Sequence, residues 1–261
     1  VCLLLACPLF FEYARRAYME VPVAGAILVS LHFFHGTIKD ETNTRAWIGA
    51  GLWTGIGFML KSLVGLFGAL GFGALLVFQG RWHTVRLRGL WLGLLVCAMV
   101  CLPWHLYAYL SDPTVFVDFT YKLHVEDQVL DAQPWSAGPV WFYVQSLVMD
   151  TPLLGLATAI GIMGCLRQLK APGRMNSLDA LLFSALLVML AVFSFSATKK
   201  VIYMLAFTPV AFTLAARQLQ SLPMPRRWIG LLAFIVAVLW TRNIPYLDPS
   251  ADFIRGSEPY A

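Results

Sequence analysis

The sequence predicts an all-α fold, a polytopic bundle of transmembrane helices. Of its 261 residues 59% are hydrophobic and only 13% are charged, whereas a soluble domain carries about a quarter charged residues. Apolar runs alternate with short polar joints along the chain, which is the pattern of repeated bilayer crossing. The 19 Lys and Arg are dispersed among these joints rather than gathered in one basic run, which argues against a nucleic acid partner.

Nine apolar segments follow one another. The first, residues 1–11, is shorter than the ~20 residues that cross the hydrocarbon, so we expect a helix that begins upstream of Val1. These segments predict a transmembrane domain over 1–241, an outward interfacial loop at 111–139 and a polar, outward-facing tail at 242–261, a candidate start of a further domain. The other eight segments are 21–36, 46–60, 63–79, 89–110, 140–164, 178–197, 201–219 and 228–241.

Glycines recur within 49–57 and 65–73. In membrane helices this pattern predicts either close helix packing or a helix broken at an internal site.

The distribution of Lys and Arg predicts the orientation of the chain. Eleven of the 19 lie in four alternate joints, 37–45, 80–88, 165–177 and 217–227. Because loops rich in Lys and Arg stay in the cytoplasm, these joints are predicted to be cytoplasmic. Five of the remaining cations lie at helix ends on the outward side, where they suggest a bound anion such as a lipid phosphate: Arg15, Arg16, Lys61, Lys199 and Lys200.

The first of these outward clusters contains Arg15, Arg16 and Glu20. Two interpretations stay open. The side chains can snorkel from an interfacial loop, or Glu20 can face an internal cavity with the arginines orienting it or holding a phosphate.

The second cluster is the single Lys61 between two apolar halves. An ammonium near hydrocarbon costs a few kcal/mol, so such a residue usually has a partner or a function. An anion at this outward turn would meet Lys61 and the free backbone N–H groups of the following helix.

The third cluster is the turn that contains Lys199, Lys200 and Tyr203. Lysine can hold a phosphate as a point charge, and a tyrosine hydroxyl can form a hydrogen bond to a phosphate oxygen. The alternative is that the two lysines only snorkel from a helix end.

In the loop 111–139, His124 is a candidate acid, base or metal ligand, or simply a solvated side chain. Together with Glu126 and Asp127 it has the residue types that bind a divalent cation, although their spacing is unspecific.

Five motifs in order along the chain resemble those of the C-type glycosyltransferases, which use polyprenyl-phosphate sugar donors. The nearest branch resembles the lipid A aminoarabinose transferases and bacterial members of the protein O-mannosyltransferase superfamily. The motifs are Ala14-Arg15 followed by Glu20-Val21-Pro22; residues 57–65; Leu102-Pro103-Trp104-His105; Trp141-Phe142-Tyr143; and residues 193–199 with Tyr203 and Pro209.

The resemblance implies an integral membrane transferase that moves a sugar from an undecaprenyl-phosphate-linked donor to lipid A, another glycolipid or a protein. Transfer would occur at the outer, periplasmic face of the bacterial inner membrane. Glu20 matches an acidic family position that assists catalysis or helps hold a metal. Whether a divalent metal is required stays open. The phosphate-binding set is expected to be Arg15, Arg16, Lys61, His124, Tyr143, Lys199, Lys200 and Tyr203.

The sequence also departs from the family. Where the family often has a basic residue shortly after the histidine, this chain has Glu126, Asp127 and Gln128. The principal catalytic carboxylate of the family lies in the first outer loop, which would precede Val1. We therefore expect the 261-residue chain alone to be inactive.

Two other classes were weighed against the transferase. A transporter of an anionic lipid or solute also uses broken helices with cations at the turn, but it is expected to show internal two-fold repetition, and the sequence shows none. The second class, a structural membrane subunit, does not explain why lysines cluster on the outward side.

Overall fold

In the computed structural model, residues 7–16, 18–118, 120, 138–170 and 175–221 are described, and they form a bundle of α-helices. Short 3-10 turns at Ser62–Leu66, Trp82–Arg86 and Val201–Tyr203 connect some of them. The helices, numbered along the chain, are α1 (Pro8–Arg15), α2 (Glu20–Lys39), α3 (Thr44–Lys61), α4 (Phe67–Phe78), α5 (Arg88–Ser111), α6 (Pro113–Val117), α7 (Phe142–Met149), α8 (Pro152–Lys170), α9 (Ser177–Phe195) and α10 (Met204–Gln220).

Six stretches of the described residues are long and apolar enough to cross a membrane, which confirms the predicted all-α polytopic fold. They are Glu20–Lys39, Thr44–Phe78, Arg88–Ser111, Pro152–Leu169, Ser177–Phe195 and Val201–Gln220.

The stretch Thr44–Phe78 is a hairpin of α3 and α4 that reverses after Lys61. The reversal passes through Ser62, whose φ of 41° lies in a region that residues other than glycine rarely adopt. Beyond it, Gly65 lies directly against the backbone of Gly57, where a side chain would overlap. At the far end of the hairpin, Phe72 packs edge-on against Trp47, with ring centroids 5.9 Å apart.

Polar joints meet at the end of the bundle opposite this reversal, which we call the basic end. Glu41 forms ion pairs with Arg81 and His83, and these join the 40–43 and 79–87 connections. The hydrogen bond from His83 and the nearby Arg81 lower the pKa of Glu41. The predicted cytoplasmic joints 37–45 and 80–88 therefore lie at one end.

A buried carboxylate ties three helices together at the basic end. Asp179, in the first turn of α9, pairs with Arg217 of α10. It also accepts hydrogen bonds from Gln168 of α8 at 3.3 Å and Gln218 of α10 at 3.2 Å. A buried carboxylate with this many donors avoids the cost of an unpaired charge. This network fixes α8, α9 and α10 to one another.

The helix α5 lies at the edge of the bundle and contacts α3 through small residues. The backbone of Gly51 lies against the carbonyl of Gly93, and Gly55 lies against Cys97 and Val100. Without side chains at these positions the two helix backbones approach closely, as in membrane helix pairs generally. The glycine recurrence in 49–57 thus corresponds to close packing.

The apolar segment 140–164 forms two helices, not the single segment expected. It breaks between Met149 and Pro152, and Gly155 packs back against the carbonyl of Leu147. Proline lacks an N–H group and is favoured at the first position of a helix, so Pro152 begins α8 instead of continuing α7. The eight-residue α7 is too short to cross a membrane. The segment 228–241 lies outside the described residues.

We predict that Gly51→Ala destabilises the bundle by about 1–3 kcal/mol, because the added methyl group overlaps the Gly93 carbonyl and forces α3 and α5 apart. The matched control is Gly73→Ala in α4, where no other atom lies within 4 Å of the new methyl group. This control should be neutral or stabilising by up to ~1 kcal/mol because alanine favours helix. Equilibrium unfolding of the full-length protein in detergent measures the stability change of each variant. Equal changes for Gly51→Ala and Gly73→Ala would contradict the close contact of α3 with α5.

Candidate functional site

A cavity of about 680 Å³ lies at the end of the bundle opposite the basic end, and we call this the cavity end. Its walls come from the residues that begin α2, the last turn of α3, the second half of α5 and the short α6. The acidic and basic side chains that line it are Glu20, Lys61, His105 and Asp112. The rest of the lining is largely apolar and aromatic.

Glu20 and Lys61 form an ion pair in this cavity. Glu20 begins α2 and is 7% exposed, and Lys61 ends α3. A carboxylate is stabilised at a helix N-terminus and a cation at a C-terminus, so each charge lies at the helix end that favours it. The side chain of Lys61 keeps 24% of its surface exposed, and its ammonium has donors beyond the one that bonds Glu20.

An aromatic pair lies beneath Lys61. The Lys61 ammonium is 5.2 Å from the ring centroid of Tyr203, within the range of a cation–π contact. Tyr203 stacks on Phe193 of α9, with centroids 5.6 Å apart and planes at 17°. The position of Lys61 is thus determined by a carboxylate and by an aromatic face.

Lys199 is buried and bonded to backbone, and it is not among the cavity-lining residues. Its ammonium donates to the carbonyl oxygens of Phe193 at 3.1 Å, Ser194 at 2.6 Å and Ser196. These are terminal carbonyls of α9 and the residue after it, which have no partner within the helix. Burial lowers the pKa of Lys199, and the ammonium lies 5.9 Å from the ring centroid of Tyr143. Lys199 therefore caps α9.

Tyr143 anchors the same turn through the backbone. Its hydroxyl donates to the carbonyl of Lys200 and accepts from the N–H of Lys200, both at 3.3 Å. The side chain is wholly buried, and this burial raises the pKa of Tyr143. Tyr143 thus holds the turn that leads into Tyr203.

The two arginines of the first cluster lie outside the cavity lining. Arg16 pairs with Glu12 one turn earlier on α1, at 3.2 Å, and Arg15 is exposed at the end of that helix. His124 lies outside the described residues. The structure therefore brings together Glu20, Lys61 and Tyr203 of the expected set. Lys199 and Lys200 lie in the adjoining turn, and Tyr143 of α7 bonds to that turn.

Comparison with known proteins identifies relatives of the chain. Residues 1–107 match the family described as dolichyl-phosphate-mannose-protein mannosyltransferase. Over 184 residues the chain is 30% identical to undecaprenyl phosphate-alpha-4-amino-4-deoxy-L-arabinose arabinosyl transferase 1 of Pseudomonas fluorescens, an alignment that covers 68% of this chain and 31% of the relative.

The fold is similar to two crystal structures of ArnT from Cupriavidus metallidurans. The structure bound to undecaprenyl phosphate has a TM-score of 0.73 at 20% identity, covering 91% of this chain and 43% of that one. The apo structure has a TM-score of 0.71 at 19% identity, covering 95% and 44%. This bundle has the fold of these ArnT structures. The resemblance carried by the sequence motifs is confirmed, and the chain spans less than half the length of these relatives.

Two residues that line the cavity were absent from the expected site. Asp112 caps α6, since its side chain accepts from the N–H of Val115 at 3.0 Å. His105 lies in the Leu102-Pro103-Trp104-His105 motif, and an imidazole inside a long apolar segment is the sequence signal that marks it. Among the described residues, no group of three His, Cys, Asp or Glu is placed to hold a metal ion.

We predict that Lys199→Met lowers the stability of the full-length protein by about 2–3 kcal/mol, because the α9 carbonyls lose a charged donor. The matched control, Lys39→Met, removes an exposed cation at the end of α2 and should change stability by less than about 0.5 kcal/mol. Thermal unfolding in detergent compares the two variants. A Lys199→Met protein as stable as the control would show that the ammonium does not cap α9.

Proposed function

We propose that the protein transfers a sugar from a polyprenyl-phosphate donor to a lipid or protein acceptor at the periplasmic face of the bacterial inner membrane. The observation that carries this proposal is the Glu20–Lys61 pair in a largely apolar cavity at the end of the helices. The relationship to the mannosyltransferase family and to the arabinosyl transferase supports the same reaction class.

A lipid phosphate fits the position of this cavity. The prenyl chain must stay in hydrocarbon while the phosphate binds a cation. A pocket at the helix ends satisfies both requirements. The lysine that ends α3 supplies the cation. Trp104 of α5 lines the cavity and is exposed on the outside of the bundle, so one apolar side chain of the cavity wall also reaches the bundle surface.

The charge of Lys61 has a direct role in sugar transfer. As the bond between the anomeric carbon and the phosphate oxygen breaks, negative charge grows on the leaving lipid phosphate. An ammonium already fixed by Glu20 and Tyr203 stabilises that charge without reorganising. The acceptor loses its proton to a base, which the family resemblance places upstream of Val1.

The other expected phosphate-binding residues divide into two groups. Lys199 and Tyr143 act indirectly, because they hold the turn that carries Tyr203 against Lys61. Contact with the donor is proposed for Arg15, Arg16, Lys200, Tyr203 and His124.

The charges of the bundle support the proposed orientation. The described cations at the basic end are more numerous than those at the cavity end, and Lys/Arg-rich loops stay in the cytoplasm. The cavity then opens to the periplasm. The transporter alternative gains no support from the matches reported above, which are transferases.

We expect Lys61→Ala in the full-length protein to reduce sugar transfer at least 100-fold, because the leaving phosphate loses its cation. Glu20→Gln should reduce transfer about tenfold, since the amide oxygen can still accept a hydrogen bond from Lys61 but the charge that fixes the ammonium is lost. Transfer from a radiolabelled polyprenyl-phosphate sugar in reconstituted vesicles measures both.

The control is Lys39→Ala, which removes an exposed cation at the basic end and should retain wild-type transfer. Size-exclusion profiles and thermal unfolding show whether each variant is folded. Wild-type turnover in folded Lys61→Ala protein would remove this role for the cavity.

A further inference from the structure

His105 is oriented by its own helix and by two aromatic rings. Its Nδ1 lies 2.8 Å from the carbonyl oxygen of Cys101, one turn earlier on α5. Its ring packs against Phe58 of α3, with centroids 5.3 Å apart, and edge-on against Phe116 near the end of α6 at 6.0 Å. Three elements therefore fix the position of this imidazole.

The hydrogen bond to Cys101 determines what the other ring nitrogen can do. A carbonyl oxygen only accepts, so Nδ1 carries the hydrogen, and in the neutral ring Nε2 is then an acceptor. Among the described residues Nε2 of His105 has no hydrogen-bond partner, while the residue lines the cavity.

The two carboxylates of the cavity are already engaged. Glu20 is paired with Lys61, and Asp112 accepts the backbone N–H of Val115. Of the acidic and basic side chains in the lining, His105 is the one whose acceptor atom is uncharged in the neutral ring and has no hydrogen-bond partner among the described residues. Its contact with Phe58 places it one turn before Lys61 along α3, in the wall next to the proposed phosphate position.

We propose that Nε2 of His105 accepts a hydrogen bond from a hydroxyl group on the sugar of the donor lipid, while Lys61 holds the phosphate. This inference rests on the proposed function. It assigns recognition of the two parts of the headgroup to different helices, the phosphate to α3 and the sugar to α5.

The test compares two ligands, undecaprenyl phosphate and undecaprenyl phosphate carrying 4-amino-4-deoxy-L-arabinose, bound to the full-length protein. His105→Phe keeps the ring packing and removes the acceptor. It should weaken binding of the sugar-bearing lipid about five- to tenfold, which is the effect of losing one hydrogen bond. Its affinity for undecaprenyl phosphate should stay within twofold of the wild-type affinity.

Two further variants separate the explanations. His105→Gln retains a side-chain acceptor and should recover part of the lost affinity. Tyr107→Phe, on the same helix and outside the cavity lining, should bind both lipids as wild type does. If His105→Phe weakens both lipids equally, or neither, the inference is overturned.

A second measurement needs no variant at His105. Diethyl pyrocarbonate modifies an accessible imidazole nitrogen, and peptide mass spectrometry reports the extent at each histidine. The sugar-bearing lipid should protect His105 more than undecaprenyl phosphate does, with His83 at the basic end unchanged by either. Equal modification of His105 with the two lipids overturns the inference.

The same binding measurements on a Lys61 variant test the proposed function separately. Lys61→Ala should weaken both lipids, because both carry the phosphate. If wild-type protein binds neither lipid, or if Lys61→Ala binds both unchanged, the proposed function fails. If the Lys61 result holds and His105 is neither selective nor protected, the His105 inference alone fails.

Discussion

The ion pair between Glu20 and Lys61 is the interaction on which the cavity end of the molecule depends. It joins the first residue of α2 to the last residue of α3, and each charge lies where the helix dipole favours it. Neither charge could lie beside hydrocarbon at low cost without the other. The pair therefore keeps a cation in the cavity, at the position proposed for a lipid phosphate.

The lysines at the cavity end form one candidate site and its support, not two equal sites. Lys199 caps the end of α9, and Phe193 at that end stacks on Tyr203. Tyr203 in turn lies under the ammonium of Lys61. A continuous series of contacts thus links the buried cap to the cavity. Loss of Lys199 would loosen the surface against which Lys61 is held, even though the two ammonium groups bind different partners.

The sequence predicted the fold class because composition and apolar periodicity are enough to identify membrane helices. It also predicted that the 37–45 and 80–88 joints share one end, where Glu41 meets Arg81 and His83. The break before Pro152 was missed because hydropathy continues across it, although the proline was a readable signal.

The partners of individual side chains were beyond what the sequence can predict. The flexible Lys199 side chain can reach either a ligand or the carbonyls of its own turn, and only the folded backbone decides between them. The relevance of His105 depends on Phe58 and Phe116 from other helices, so its motif alone assigns no role. His124 and its acidic neighbours stay a prediction.

The most direct test of the account is a measurement of contact between the Lys61 ammonium and a lipid phosphorus. Full-length protein labelled with ¹⁵N at lysine Nζ is reconstituted with undecaprenyl phosphate, and solid-state NMR detects ¹⁵N signals dephased by ³¹P. The account predicts that Lys61→Gln removes one of the dephased lysine signals. Dephased lysine signals that are unchanged in that variant, or no dephased lysine in the wild type, would contradict it.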